Sequence, residues 1–192
     1  MKNSFKSLKF IYSLAKFNPE NYPKVNIVDD YYIGLDNNQV PLKILSRFNK
    51  NDYSTIIVFP GASPDAEKHQ GMLFLGSIIC KLGYKVIIPR IPPLKELKLN
   101  ETSFDWFAHA YEQILMRDDI VKNKVSAMAL SFGGAVLIKA SLDSRISNNP
   151  PKSIMTFGTY SNIQSTLKFL CDGKINLDNT TYTIEPHSWG LT

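Results

Sequence analysis

The stretch Val125-Ser126-Ala127-Met128-Ala129-Leu130-Ser131-Phe132-Gly133-Gly134-Ala135-Val136-Leu137 decides how this chain is read. Its first six residues form a short, almost continuously apolar run, the pattern of a strand covered on both faces of a sheet. The run stops at Ser131, and Phe132 to Leu142 reads as a short helix rich in small residues. A serine therefore stands where a buried strand turns into a helix, with Ala129 and Gly133 as small residues on either side. The same composition also makes ordinary tight strand-to-helix turns, so the corner alone does not assign chemistry.

Working outward, three more apolar runs of strand length appear: Ser54 to Phe59, ended by Pro60-Gly61; Tyr84 to Ile88, ended by Pro89; and Ser153 to Gly158. All are predicted to be buried strands. Between the first two, Ala66 to Leu82 places Met72, Leu75, Ile79 and Leu82 at near-helical spacing, and Gly83 supplies the stop. Between the second and the serine strand, Phe104 to Arg117 reads as a helix capped by Thr102 or Ser103, with Trp106, Phe107, Ala110, Ile114 and Leu115 on its inner stripe. Upstream, Val25 to Leu35 and Val40 to Phe48 flank Asp36-Asn37-Asn38 and form an antiparallel hairpin. Strands alternating with helices imply an α/β fold, a three-layer α/β/α sandwich around a mostly parallel, doubly wound sheet.

The predicted organisation is an N-terminal helix and linker over 1–24, a core over 25–160, and a cap or connecting segment beginning over 161–192. A doubly wound sheet that stops one strand after the serine corner is expected to continue, so Thr192 is expected not to be its natural end. Within the N-terminal segment, Phe5, Leu8, Tyr12 and Ala15 share one helical face, and lysines 2, 6, 9 and 16 lie partly on the other. The expected role is a short helix packed on the domain. Contact with a membrane surface is the alternative.

With 192 residues and 44% hydrophobic content, the chain can bury a core and is neither disordered nor a disulfide scaffold. Its formal net charge is +5, but the lysines are spread along the chain and give no nucleic-acid footprint. No run of apolar residues is long enough to span a bilayer as a helix, and no secretory signal is recognisable. Cys80 and Cys171 are expected to be unpaired thiols in a reducing, cytoplasmic setting.

The serine corner, its place after the third parallel strand, and Pro60-Gly61-Ala62-Ser63 after the preceding strand together resemble the α/β-hydrolase family over about Val25 to Tyr160. In that family the nucleophile motif is written G-x-S-x-G. Here Ala129 replaces the first glycine and Gly133 keeps the second. The resemblance implies that Ser131 attacks an acyl carbon and that the backbone N–H groups of Ala62 and Phe132 stabilise the oxyanion. Gly61 and Ser63 of that loop, and His69, which opens the helix behind it, are expected to contact the substrate. Pro60 stands where the family often has histidine.

A base should follow the nucleophile in the chain, and of the three histidines, His69, His109 and His187, only His187 does. Asp172, Asp178 and Glu185 are the nearby acids, but Asp172 and Asp178 sit at no obvious strand end and Glu185 is too near His187 in sequence to orient it easily, and the acid and base are expected to lie beyond Thr192. Neither metal-ligand spacing nor a phosphate-binding glycine motif is present, and the family's chemistry needs no diffusible cofactor. The expected function is therefore a serine hydrolase of ester or related acyl bonds on a small-molecule substrate, with this chain carrying the nucleophile half. The alternative is a non-catalytic module of the same fold that binds a small apolar ligand or a partner protein.

Overall fold

The structure is a computed structural model, and it describes residues 2–16, 24–47 and 54–186. The chain divides into two compact units, Met1–Thr159 and Tyr160–Thr192.

The first unit begins with helix α1 (Lys2–Ala15) and the hairpin β1 (Asn26–Ile33) and β2 (Gln39–Ser46). Next come β3 (Thr55–Phe59), α2 (Gln70–Lys81), β4 (Lys85–Pro89), the short α3 (Pro92–Lys95), α4 (Thr102–Leu115), β5 (Val125–Leu130), α5 (Phe132–Ala140), the short α6 (Ser144–Ser147) and β6 (Ile154–Phe157). The six strands form one sheet in the order β1-β2-β4-β3-β5-β6. The hairpin is antiparallel and joins β4 antiparallel, whereas β4, β3, β5 and β6 are mutually parallel.

Strand alternation separates the two faces. Ile57, Phe59, Ile87, Ala127 and Ala129 pack with Phe107, Tyr111 and Ile114 of α4 and Leu137 of α5. Val58, Val86, Ile88 and Met128 point the opposite way and pack with Met72, Leu75 and Ile79 of α2, with Phe10 of α1 against them. The rings of Phe59 and Phe107 stack at 4.5 Å between centroids. Ala129 lies in register beside Phe59 and belongs to the same buried cluster.

Several expectations are corrected. The predicted helix Ala66 to Leu82 is divided: Ala66–Lys68 is a separate 3-10 turn, and His69 is extended before α2 begins. The reason is tertiary, because Glu67 is buried and paired with a distant arginine, which holds this turn off the axis of α2. No side chain of Thr102 or Ser103 caps α4; instead Asn100 Oδ1 accepts from the N–H and hydroxyl of Thr102. The Pro92-Pro93 pair opens α3, since proline fits the first helical turn. The strand β6 is not buried: Ile154, Met155 and Phe157 are 41%, 57% and 72% exposed. It lies at the edge of the described sheet, and neither its backbone edge nor its outer residues have a strand beside them.

The second unit contains α7 (Ile163–Asp172) and a two-stranded hairpin, β7 (Lys174–Leu177) with β8 (Thr180–Thr183). Gly173 ends α7 at φ 66°, in the left-handed conformation that favours glycine. Cys80 and Cys171 are both free thiols.

Candidate active site

From β3 the chain crosses the α2 face to β4 on one side; from β4 it crosses the α4 face to β5 on the other side of β3. The helices leaving the neighbouring strands β3 and β5 therefore diverge to opposite faces. In open α/β sheets the crevice at such a reversal, beyond the carboxyl ends of the strands, is where ligands bind. Pro60 and Ser131 are the residues that leave β3 and β5 at that edge.

Ser131 has φ 50° and ψ −129° and is exposed. A non-glycine residue rarely adopts this backbone, and holding it there costs on the order of 1–3 kcal/mol. Hydrogen bonds fix the corner on both sides: the Ser131 N–H donates to Phe157 O at 2.8 Å, and its carbonyl accepts from the Gly134 N–H at 2.9 Å. The following helix approaches closely. A Cβ on Gly134 would stand 2.6 Å from Thr159 Oγ1 and 3.1 Å from Thr156 Cβ.

The loop after β3 lies against the same corner. A Cβ added to Gly61 would meet Leu130 O and Ser131 Cβ, each at 3.2 Å. Ala62 follows, half-buried, and Phe132 is the first residue of α5. Ser63 is engaged in shaping the loop. Its N–H donates to Leu94 O at 3.2 Å, its carbonyl accepts from the Ala66 N–H at 3.0 Å, and its hydroxyl accepts from the Asp65 N–H at 3.3 Å. Ala66 takes φ 46° while almost completely buried.

Beyond that turn, Glu67 is 1% exposed and receives two bonds from Arg90, Nε to Oε2 at 2.9 Å and Nη2 to Oε1 at 2.7 Å. The planar guanidinium meets the carboxylate edge to edge, the strongest common geometry for such a pair. The bond to Glu67 raises the pKa of Arg90. The Arg90 carbonyl in turn accepts from the Tyr32 hydroxyl at 2.7 Å, and burial pushes that phenol upward. Loop, β4 end and hairpin are thereby tied together. Spacing offered no signal for this pair, because its members lie on different elements; the only cue was an arginine directly after the strand-ending Pro89.

The histidines take other places. His69 Nδ1 accepts from the Gly71 N–H at 3.1 Å and caps α2. His109 Nε2 lies 2.8 Å from Ile33 O; a carbonyl only accepts, so this nitrogen carries the proton. His187 lies outside the described residues. Asp172 Oδ1 accepts from the Lys174 N–H, Asp178 has φ 47° in the β7–β8 turn, and Glu185 is exposed. Among the described residues, no three His, Cys, Asp or Glu side chains form a group that could hold a metal.

No family model and no curated protein sequence matches the chain. Solved structures do. One, from a study of two fungal esterases from Rhizomucor miehei, matches with TM-score 0.62 at 12% identity, over 90% of this chain and 57% of that one. A hormone-sensitive lipase from a metagenome library matches with TM-score 0.59 at 14% identity, over 89% and 62%. A dienelactone hydrolase-like promiscuous phosphotriesterase from metagenomic libraries matches with TM-score 0.54 at 14% identity, over 70% and 59%. The chain spans less than two thirds of the length of each. At such identities the likeness concerns the fold, and the fold is that of the α/β-hydrolases.

Proposed function

From the α/β-hydrolase fold and the strained serine corner, we propose that this chain carries the nucleophile and oxyanion donors of a serine hydrolase acting on an ester or related acyl bond. The observation that carries the reading is the backbone of Ser131, at φ 50° and ψ −129° between β5 and α5. Such strain persists only where the surroundings over-determine it, and it clusters at functional sites. The esterase and lipase names of the structural neighbours support a small-molecule acyl substrate.

Ser131 Oγ attacks the acyl carbon, a general base takes its proton, and the negative charge on the carbonyl oxygen is met by the N–H groups of Ala62 and Phe132. The start of α5 adds its positive dipole end to those donors. His69 Nδ1 accepts from the Gly71 N–H, His109 Nε2 donates to Ile33 O, and both residues precede Ser131 in the chain, whereas the family's base follows the nucleophile; His187 is the remaining histidine of this chain. No diffusible cofactor enters this scheme.

The test is covalent labelling of the protein from its native source with a fluorophosphonate. Attack by Ser131 Oγ forms an oxygen–phosphorus bond, expels fluoride and passes the hydroxyl proton to the base. Peptide mapping should place the label on Ser131, and Ser131→Ala should lose both label and hydrolysis of p-nitrophenyl esters. Labelling at another residue, or ester turnover unchanged in Ser131→Ala, overturns the reading.

That both described histidines precede Ser131 in the chain favours one alternative, a non-catalytic module of this fold that binds a small apolar ligand or a partner protein. Ser131→Ala separates the two, since it leaves simple binding largely intact.

A further inference from the structure

Helix α1 packs on the first unit through Phe10, which lies against the apolar cluster beside α2. At about 100° per residue, the opposite side of the helix carries Leu8, Ile11, Tyr12 and Ala15. Leu8, Ile11 and Tyr12 are 69%, 63% and 60% exposed, so the large apolar side chains that do not pack inward form a stripe facing solvent. Cations border that stripe on one flank: Lys9 follows Leu8, and Lys16 places its ammonium 4.5 Å from the centre of the Tyr12 ring.

On the Lys9 flank the surface opens into a concavity of about 450 Å³ lined by Lys9, Lys24, Val25, Arg47 and Lys81. These residues come from four separate places: α1, the approach to β1, the end of β2 and the last turn of α2. Four cations at one concavity repel one another and attract multivalent or clustered anions. An exposed apolar stripe beside clustered lysines and an arginine has the chemistry of a peripheral membrane contact. Apolar side chains enter the interface between headgroups and acyl chains, and cations meet anionic headgroups.

We propose that α1 and the adjoining basic concavity dock this protein on an anionic lipid surface, with Leu8, Ile11 and Tyr12 in the bilayer interface and Lys9, Lys24 and Lys81 on headgroup phosphates and carboxylates. This goes beyond the proposed hydrolase reading and does not depend on it. Charge complementarity selects the occupant: the two features adjoin each other, and a purely apolar partner would set the exposed Lys9, Lys24 and Lys81 against nonpolar surface. Membrane contact by this helix was the alternative offered by its sequence. Its packing through Phe10 leaves that contact available, because packing uses the other face.

The test is co-sedimentation of the full chain with vesicles of phosphatidylcholine alone and of phosphatidylcholine with phosphatidylserine. Binding is expected only to the anionic vesicles and should weaken with added salt. The triple variant Lys9→Gln, Lys24→Gln, Lys81→Gln should lose roughly fivefold in partitioning per lysine removed. The pair Leu8→Ser, Tyr12→Ser should lose at least about tenfold at unchanged charge. All five positions are exposed, and circular dichroism with thermal unfolding checks that each variant folds. No binding to anionic vesicles overturns the proposal. So does binding that the serine pair leaves unchanged, which makes it diffuse adhesion. Concentration-dependent self-association abolished by the serine pair, with no vesicle binding, also overturns it and gives the stripe to a second copy of the chain.

Discussion

The Cα of Gly133 packs directly on the carbonyl of Pro60: a Cβ at this glycine would stand 2.1 Å from Pro60 O and 3.1 Å from its carbonyl carbon. Residue 133 lies in the first turn of α5, and Pro60 is where the chain leaves β3, so this contact sets how closely the helix after the serine approaches the loop carrying Gly61 and Ala62. The atom in the way is backbone and cannot rotate aside. Gly133→Ala should therefore push α5 and the loop apart, destabilising the fold by about 2–3 kcal/mol, toward the upper part of overpacking costs. Urea unfolding measures the loss. Hydrolysis should fall by at least about tenfold, since a misplacement of 1 Å already has effects of that size. An unchanged midpoint would mean that the contact is relaxed in solution.

The strain at Ser131 makes a prediction in which stability and activity move in opposite directions. Glycine adopts φ 50°, ψ −129° without the clash that a Cβ brings, whereas alanine keeps that clash. Ser131→Gly should thus raise stability by about 1 kcal/mol, after part of the relief is offset by the extra freedom of glycine in the unfolded chain. Ser131→Ala should leave stability within about 0.5 kcal/mol of the parent. Both should be inactive. Thermal unfolding of the three proteins side by side decides the matter, and equal stability of the glycine and alanine variants would show that the corner is not strained.

The buried pair predicts an asymmetry. The Glu67 side chain is 1% exposed and that of Arg90 is 23% exposed, so the two partners differ in what their loss leaves behind. Arg90→Met strands a carboxylate with almost no access to water and should cost about 3–5 kcal/mol, the range for breaking a buried pair. Glu67→Gln keeps an acceptor for a guanidinium that still reaches solvent, and should cost about 1–2 kcal/mol. Chemical denaturation of the two variants and the parent at pH 7 tests the asymmetry.

Much of this architecture was readable because strand and helix periods are local. The apolar runs at 55–59, 85–89 and 125–130 and the Asp36-Asn37-Asn38 turn placed the sheet and its hairpin. Ser131 stood out because a polar residue ended an apolar run just before a small-residue helix. What was not readable depends on distant neighbours. Ala66, Glu67 and Lys68 fit a helical pattern as well as Met72 and Leu75 do, and neither the positive φ of Ala66 nor the pairing of Glu67 with distant Arg90 is written in their spacing. Ile154, Met155 and Phe157 look like a buried strand because apolar composition cannot report whether a further strand lies alongside. For the β7–β8 hairpin a local signal did exist: Asp178 and Asn179 have φ 47° and 63°, the pair of positive values that a tight hairpin turn requires and that Asp and Asn tolerate.

The last prediction concerns acid. Asp143 precedes α6, accepts from the Arg145 backbone N–H at 3.0 Å, and receives the Arg145 guanidinium at 2.9 and 2.7 Å. Arg145 also pairs with Asp105 of α4, so the cluster ties α6 to the helix that covers the sheet. The side-chain bonds from Arg145, followed by the backbone bond, lower the Asp143 carboxyl from 3.8 to about 2. A carboxylate with a lowered folded pKa binds protons more readily when unfolded, so its contribution is complete above about pH 4 and fades as pH falls toward 2. Asp143→Asn should accordingly be less stable than the parent at pH 6, and the difference should shrink between pH 4 and pH 2. Only part of the cost should disappear, because the asparagine oxygen can still cap α6 while its bond to the guanidinium loses the charge. Thermal unfolding midpoints at half-unit pH steps give the two curves. Parallel curves over that window would mean that Arg145 does not lower the Asp143 pKa in solution.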